Sequence, residues 1–195
     1  MTPSLPSSWQ VALKEWASVV AAVERGEQMV LIRKGGLIEP GSGFELVSRQ
    51  FLFYPTFEHQ TVNFIRPSSQ RDFDEAMAHK PTDGNLQVRL YGAVEMSTEV
   101  RDPECIKRLE PFHISHDAFL AQRLRWQPEQ PLVLAVVRAF RLTSPQRLPM
   151  VDRYAGCKSW VELDQPIALQ GAQPVLDSRV FDERLQQIKA MLRTD

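Results

Sequence analysis

The run from Leu132 to Phe140, LVLAVVRAF, constrains this chain more than any other segment. Pro131 opens it and only Arg138 interrupts its apolar character. It is far short of the roughly 20 residues that a membrane span requires. It shows no alternation of apolar and polar positions and is rich in Val and Leu. Such a run reads as a central strand buried on both faces. A strand of that kind needs paired neighbours on its edges and cover above and below. The chain is therefore expected to build a sheet with helices packed on it.

The rest of the pattern supplies those parts. Trp9, Ala12, Leu13, Trp16, Val19, Val20 and Val23 follow a three-four spacing, which predicts an amphipathic helix over Ser8 to Arg25. Ser7 and Gln10 fit a capping box for it, and Gly26 a C-terminal stop. Met29 to Arg33 reads as a short strand, Phe44 to Tyr54 as a longer one with a bulge near Arg49 and an end at Pro55, and Val62 to Ile65 as a third. Arg71 to His79 is a short helix. Asn85 to Val100 is strand-rich with a break at Gly92, and Pro103 opens a short helix to Glu110. Ser115 is placed to cap a helix through Leu124. Trp160 to Leu163 is a last strand. Asp177 or Ser178 caps a final helix whose Phe181, Leu185, Ile188 and Leu192 form a stripe.

Segregated strands and helices argue for an α+β fold with a mainly antiparallel or mixed sheet, flanked by N- and C-terminal helices. At 195 residues one domain is expected over 1–195, its core spanning about 8–165 and the terminal helix, about 177–193, packing on it. A formal net charge of -1 excludes a global basic field, so any nucleic-acid contact must use a local patch. Two cysteines make no disulfide framework, and the first eight residues are polar and Pro-containing. No leader and no membrane span are expected, and a cytoplasmic setting follows.

The chain lacks the phosphate-loop, dinucleotide-binding, H-E-x-x-H and G-x-S-x-G patterns. No Lys has Asp or Glu two positions before it, which argues against a self-contained metal nuclease. His113 and His116 with Cys105 are too few ligands for structural zinc, so neither metal nor cofactor is expected.

Three polar clusters at strand ends carry the chemistry that remains. Arg33 and Lys34 precede Gly35-Gly36, an arrangement suited to an oxyanion or, equally, to a solvated hairpin end. Glu58, His59 and Gln60 follow Phe53-Tyr54. There His59 offers a general base that Glu58 or another carboxylate orients, and the alternative is a hydrogen-bonded turn. Tyr154, Lys158 and Trp160 combine stacking surfaces with a cation around Cys157, and a loop clamped into the core is the alternative. Arg123, Arg125 and Trp126, with Arg138, Arg141 and Arg147, add a candidate basic surface.

Several strings resemble a known family. Ala12-Leu13-Lys14-Glu15-Trp16, Leu31 to Gly36, FLFYPTFEHQ over Phe51 to Gln60, RLRWQPEQPL over Arg123 to Leu132, and YAGCKSWVEL over Tyr154 to Leu163 are similar to the uncharacterised, mainly cyanobacterial domain-of-unknown-function 1802 family. That family has no established catalytic residues to carry over. Some of its members are fused to a restriction-endonuclease domain, which implies a link to restriction-modification. Val19 to Arg33 is also similar to the helix-glycine-strand-Arg opening of the PUA-like superfamily, which includes ASCH and EVE domains. That likeness implies a barrel-like sheet and a cleft for RNA or modified DNA bases.

These readings converge on a nucleic-acid-binding module in which Arg33, Lys34 and Lys158 meet phosphate. Tyr54, Tyr154 and Trp160 stack on bases, and His59 and Gln60 read a base edge or position a water. Two other expectations stand beside it. One is a metal-independent hydrolase or transferase using His59. The other is a protein-interaction module or homo-oligomer whose Trp9/Trp16 and Phe181/Leu192 faces cover a partner.

Overall fold

The computed structural model describes residues 5–34, 47–156 and 158–193. The central strand is where the sequence places it, and longer: β5 runs Leu132–Pro149. It pairs antiparallel with β4, Asn85–Val100, over most of its length, and with the short β2, Val30–Arg33, on its other edge. β3, Gln50–Thr56, joins β4 antiparallel. β1, Ser8–Trp16, joins β3 in parallel, and β6, Trp160–Ala168, closes that side antiparallel to β1. A two-residue β7, Gln173–Pro174, sits on β5 beyond β2. The order β2-β5-β4-β3-β1-β6 makes one mixed, open sheet.

Over residues 132–140 both faces of β5 are buried. Val133, Ala135, Val137 and Ala139 point into a cluster with Phe51, Phe53, Leu90 and helix α1, Ala17–Glu24. Leu132, Leu134 and Val136 point the other way, beneath α3 (Pro103–Arg108), α4 (Asp117–Arg125) and α5 (Ser178–Arg193). The stripe expected on α5 supplies Phe181 and Ile188, at 1% and 0% exposure, with Leu185 and Leu192 packed beside them. Each fully buried side chain of this kind stabilises by about 2 kcal/mol. Asp177 Oδ1 accepts the Arg179 N–H and so caps the helix. α2, Gln70–Ala78, also forms as expected and packs beside α1.

Four expectations are corrected. The N-terminal segment is a strand over Ser8–Trp16 before it is a helix. Ala12, Leu13, Lys14 and Glu15 are buried in succession because β1 is covered on both faces, so neither the long helix nor its capping box exists. Gly26 does end α1, with φ +75. Gly92 does not break β4. A Cβ there would meet Val137 Cγ1 at 2.8 Å and Phe53 Cε2 at 2.9 Å, so glycine serves close packing inside a continuous strand. Val62–Phe64 is a 3-10 turn, from which Ile65 bridges to Ser115. Pro55 lies within β3, opposite Glu15. The start of the long strand expected from Phe44, like Gly35-Gly36 and Cys157, lies outside the described residues.

Among the described residues one side chain links the two ends of the sheet. Arg33, at the end of β2, donates through Nη1 to the Lys14 carbonyl at 3.0 Å and to Glu15 Oε2 at 2.9 Å. Nη2 donates to Ser159 Oγ at 2.9 Å. β2 and the β1/β6 pair are the remote ends of the strand order, so this guanidinium is a staple between the two ends of an open sheet.

Candidate functional site

The Arg33 seam borders a cavity of about 870 Å³. β1 contributes Lys14, Glu15 and Trp16; β2 contributes Ile32 and Arg33, with Lys34 just after it. Thr56 ends β3, Glu58 and His59 come from the turn after it, and Phe119, Arg123 and Trp126 from α4 and its end. Gly156, Lys158 and Ser159 come from the loop before β6. Residues from all three sequence clusters therefore meet in one concavity.

Ion pairing and hydrogen bonds fix its wall. Glu15 is buried and divides its carboxylate between Arg33 and the Trp16 N–H, accepted at 2.9 Å by Oε1. Lys14 is also buried. Its ammonium donates to the carbonyls of Tyr154 (2.6 Å) and Gly156 (2.9 Å), holding the loop that carries Lys158. Lys34 donates to the Gln130 carbonyl at 2.6 Å, and desolvation with the nearby Arg101 charge lowers its pKa. Lys158 is exposed and reaches the Arg153 carbonyl at 3.2 Å.

Arg123 differs from these cations. It stands 5.0 Å from the Phe119 ring centroid and has no hydrogen bond or ion pair among the described residues. Burial lowers its pKa, the Arg33 charge lowers it further, and Glu15 opposes both. Trp126 is half exposed beside it, at 50%. Trp16 stacks on Phe64 with ring centroids 6.1 Å apart, and Phe119 tilts against both rings.

His59 and Glu58 are exposed at the cavity. His59 has φ 58, a left-handed conformation that histidine adopts more readily than most residues. Its imidazole has no hydrogen-bond partner among the described residues, and Glu58 does not bond to it. Gln60 does not join the cavity. Its Oε1 accepts from Ser18 Oγ at 3.0 Å and from Ser18 N at 3.4 Å, which satisfies a free amide in the first turn of α1.

The expected stacking residues lie elsewhere. Tyr54 and Tyr154 are buried edge-to-face, with ring centroids 6.0 Å apart, and burial pushes the Tyr54 hydroxyl up to about 12, helped by Tyr154 and Glu58. Trp160 packs its edge on Phe51 at 5.7 Å. None of the three offers a ring face to the cavity, because the apolar rings are more stable inside the core. The faces expected to cover a partner largely pack within the chain. Trp9 donates to the Gln50 carbonyl and meets Tyr91, while Phe181 is in the core.

The two histidines near Cys105 serve the backbone. His113 Nδ1 accepts the Ser115 N–H at 3.2 Å while Nε2 faces the Ile106 carbonyl at 3.3 Å, which assigns the proton to Nε2. Burial drives the His113 pKa down to about 4, against the Ile106 hydrogen bond. His116, rather than Ser115, caps α4 by accepting from Ala118 N.

Glu15, Arg123 and Trp126 were hard to place from sequence. Glu15 falls on the solvent face of the helix wrongly expected there, and Arg123 and Trp126 appear only as part of a diffuse basic surface. The Lys14-Glu15-Trp16 string was the usable signal, since consecutive charged and aromatic residues fit a strand end that meets a cavity.

No curated protein matches the chain. A crystal structure of a serine-to-alanine mutant of the ZmASCH protein from Zymomonas mobilis aligns with a TM-score of 0.48 at 9% identity, covering 83% of this chain and 92% of that one. Among the described residues no helix is long and apolar enough to cross a membrane. A family model, the domain of unknown function DUF1802, matches residues 12–187, and the chain belongs to that family.

Proposed function

We propose that the cavity binds single-stranded nucleic acid. The observation that carries this reading is the convergence of Arg33, Arg123 and Lys158 with the half-exposed Trp126 in one concavity of about 870 Å³. A strand needs cations along its backbone and an aromatic face for a base, and a base stacked on such a face contributes about 1–3 kcal/mol. Arg123 and Lys158 meet phosphate, Trp126 takes the stacking role that the buried tyrosines cannot, and His59 reads a base edge. The reading suits a cytoplasmic protein that handles nucleic acid, in keeping with the restriction-modification setting that the family resemblance implies.

The test is fluorescence anisotropy with labelled single-stranded DNA, RNA and duplex DNA across a salt series. Single strands are expected to bind with a salt-dependent affinity, and Lys158→Ala and Arg123→Ala each to reduce the salt slope by about 1. Absence of binding to any strand at low salt would remove this reading.

One observation favours a second reading, an acid–base enzyme without a metal. The unpartnered His59 imidazole stands at the cavity in a left-handed backbone conformation. Any turnover would then show a pH limb that disappears in His59→Gln.

A further inference from the structure

We infer that the cavity holds a terminal phosphomonoester, the end phosphate of a strand or of a single nucleotide, between Arg33 and Arg123. This deepens the nucleic-acid reading and rests on it for the rest of the ligand.

The argument begins with the donors. A guanidinium has five N–H groups. Three of those on Arg33 are engaged, two from Nη1 with Lys14 and Glu15 and one from Nη2 with Ser159. The Nε–H and one Nη2–H have no partner among the described residues. These neighbouring nitrogens form the side edge of the fork, suited to two parallel bonds with an oxyanion. The Arg33 side chain keeps 18% exposure, and the residue lines the cavity. Arg123 brings a second guanidinium with all its donors unpaired among the described residues. It lines the same cavity as Arg33, where the two like charges oppose one another. Among the described residues Glu15 pairs with Arg33 alone, so Arg123 has no counter-ion there, and an anion between the two guanidiniums relieves the repulsion.

Charge selects the kind of phosphate. Among the described residues the cavity is lined by five cationic side chains, Lys14, Arg33, Lys34, Arg123 and Lys158, against the three carboxylates of Glu15, Glu58 and Glu99. The excess is two positive charges. A phosphomonoester carries about -1.5 to -2 at neutral pH and has three free acceptor oxygens. An internal phosphodiester carries a single charge, has two free oxygens and is flanked by sugar on both sides. The monoester matches that excess, and its third free oxygen lets two forks bind side by side more readily than on a diester.

The experiment compares short single strands carrying a 5′-phosphate, a 3′-phosphate or only hydroxyl ends, with a nucleoside monophosphate as a fourth ligand. A phosphorylated end at one terminus is expected to bind roughly tenfold more tightly than the hydroxyl form. Arg123→Gln should erase that preference and Arg123→Lys should keep part of it, since a point charge lacks the planar fork. Arg123 makes no hydrogen bond or ion pair among the described residues, so both variants are expected to fold, and circular dichroism checks this. Equal binding of phosphorylated and hydroxyl ends would overturn the inference while leaving the strand reading intact. So would a preference that survives in Arg123→Gln. Binding of the nucleoside monophosphate with no binding of any strand would support the phosphate site and remove the strand reading.

Discussion

Arg33 and Arg138 border the same strand, yet they do opposite work. Arg138 is on β5 itself, its side chain 7% exposed. It pairs with Glu95 at 2.8 Å and Asp182 at 2.7 Å, and it lies 3.8 Å from the Phe181 ring centroid. That geometry clamps α5 to the sheet. Arg33, opposite Val133 in the β2–β5 pair, has one carboxylate partner, spans an open seam and keeps part of its fork towards a cavity. An arginine enclosed by an aromatic ring and two carboxylates is structural. One that is only partly paired beside a concavity is available for a ligand.

The contrast can be broken or sharpened in stability and binding together. The largest stability effect is expected from acid, through His113 on the helical side. Its pKa is about 4 in the folded protein against 6.5 ordinarily, so between those values the unfolded chain takes up a proton that the folded one refuses. Its contribution is full above pH 6.5 and is lost as pH falls to 4, about 3 kcal/mol in all. Denaturant midpoints from pH 7 to pH 4 should lose this increment, and His113→Gln should flatten the dependence.

Arg138→Ala comes next, at about 2 kcal/mol of unfolding free energy, since it strips the ring contact and leaves two carboxylates that solvent only partly screens. Ligand binding should not change; a loss of affinity in folded protein would erase the distinction between the two arginines. Glu15→Gln should cost about 1.5 kcal/mol, because the amide's single oxygen keeps only one of the two bonds, to Trp16 N–H or to Arg33, and its NH2 faces the other donor. It should also tighten binding of a phosphorylated strand by freeing Arg33 from its carboxylate, an opposition that titration calorimetry would read. Trp126→Ala should leave stability within about 0.5 kcal/mol, since the ring is half exposed, while weakening strand binding by about 1–3 kcal/mol.

Sequence reading succeeded where one pattern excludes the others. Leu132 to Phe140 admits only a doubly buried strand, and the Phe181 stripe only an amphipathic helix. It failed at Ser8–Trp16, because a strand covered on both faces loses its alternation. Trp9, Ala12, Leu13 and Trp16 then fit a helical spacing as well. That error hid Lys14 and Glu15, whose surroundings come from a parallel pairing with β3 some forty residues on. Arg33 and Lys158 were marked as polar at strand ends, which is visible locally. Whether an aromatic beside them points inward is decided by distant partners, such as Phe51 for Trp160 and Tyr154 for Tyr54. The rings of Tyr54, Tyr154 and Trp160 therefore belong to the core, and the exposed ring at the cavity is Trp126, which the sequence presents only as part of a basic stretch.

The staple at Arg33 has a kinetic corollary. A sheet whose remote ends meet through three hydrogen bonds of one side chain can part there without disturbing the long β4–β5 ladder. Amide hydrogens of β2 and of the β1/β6 pair should exchange through this local breathing, well ahead of global unfolding. An anion on the free edge of Arg33 would make the same guanidinium harder to pull away. Its arrival should be recorded as slowed exchange along strands that the ligand never touches.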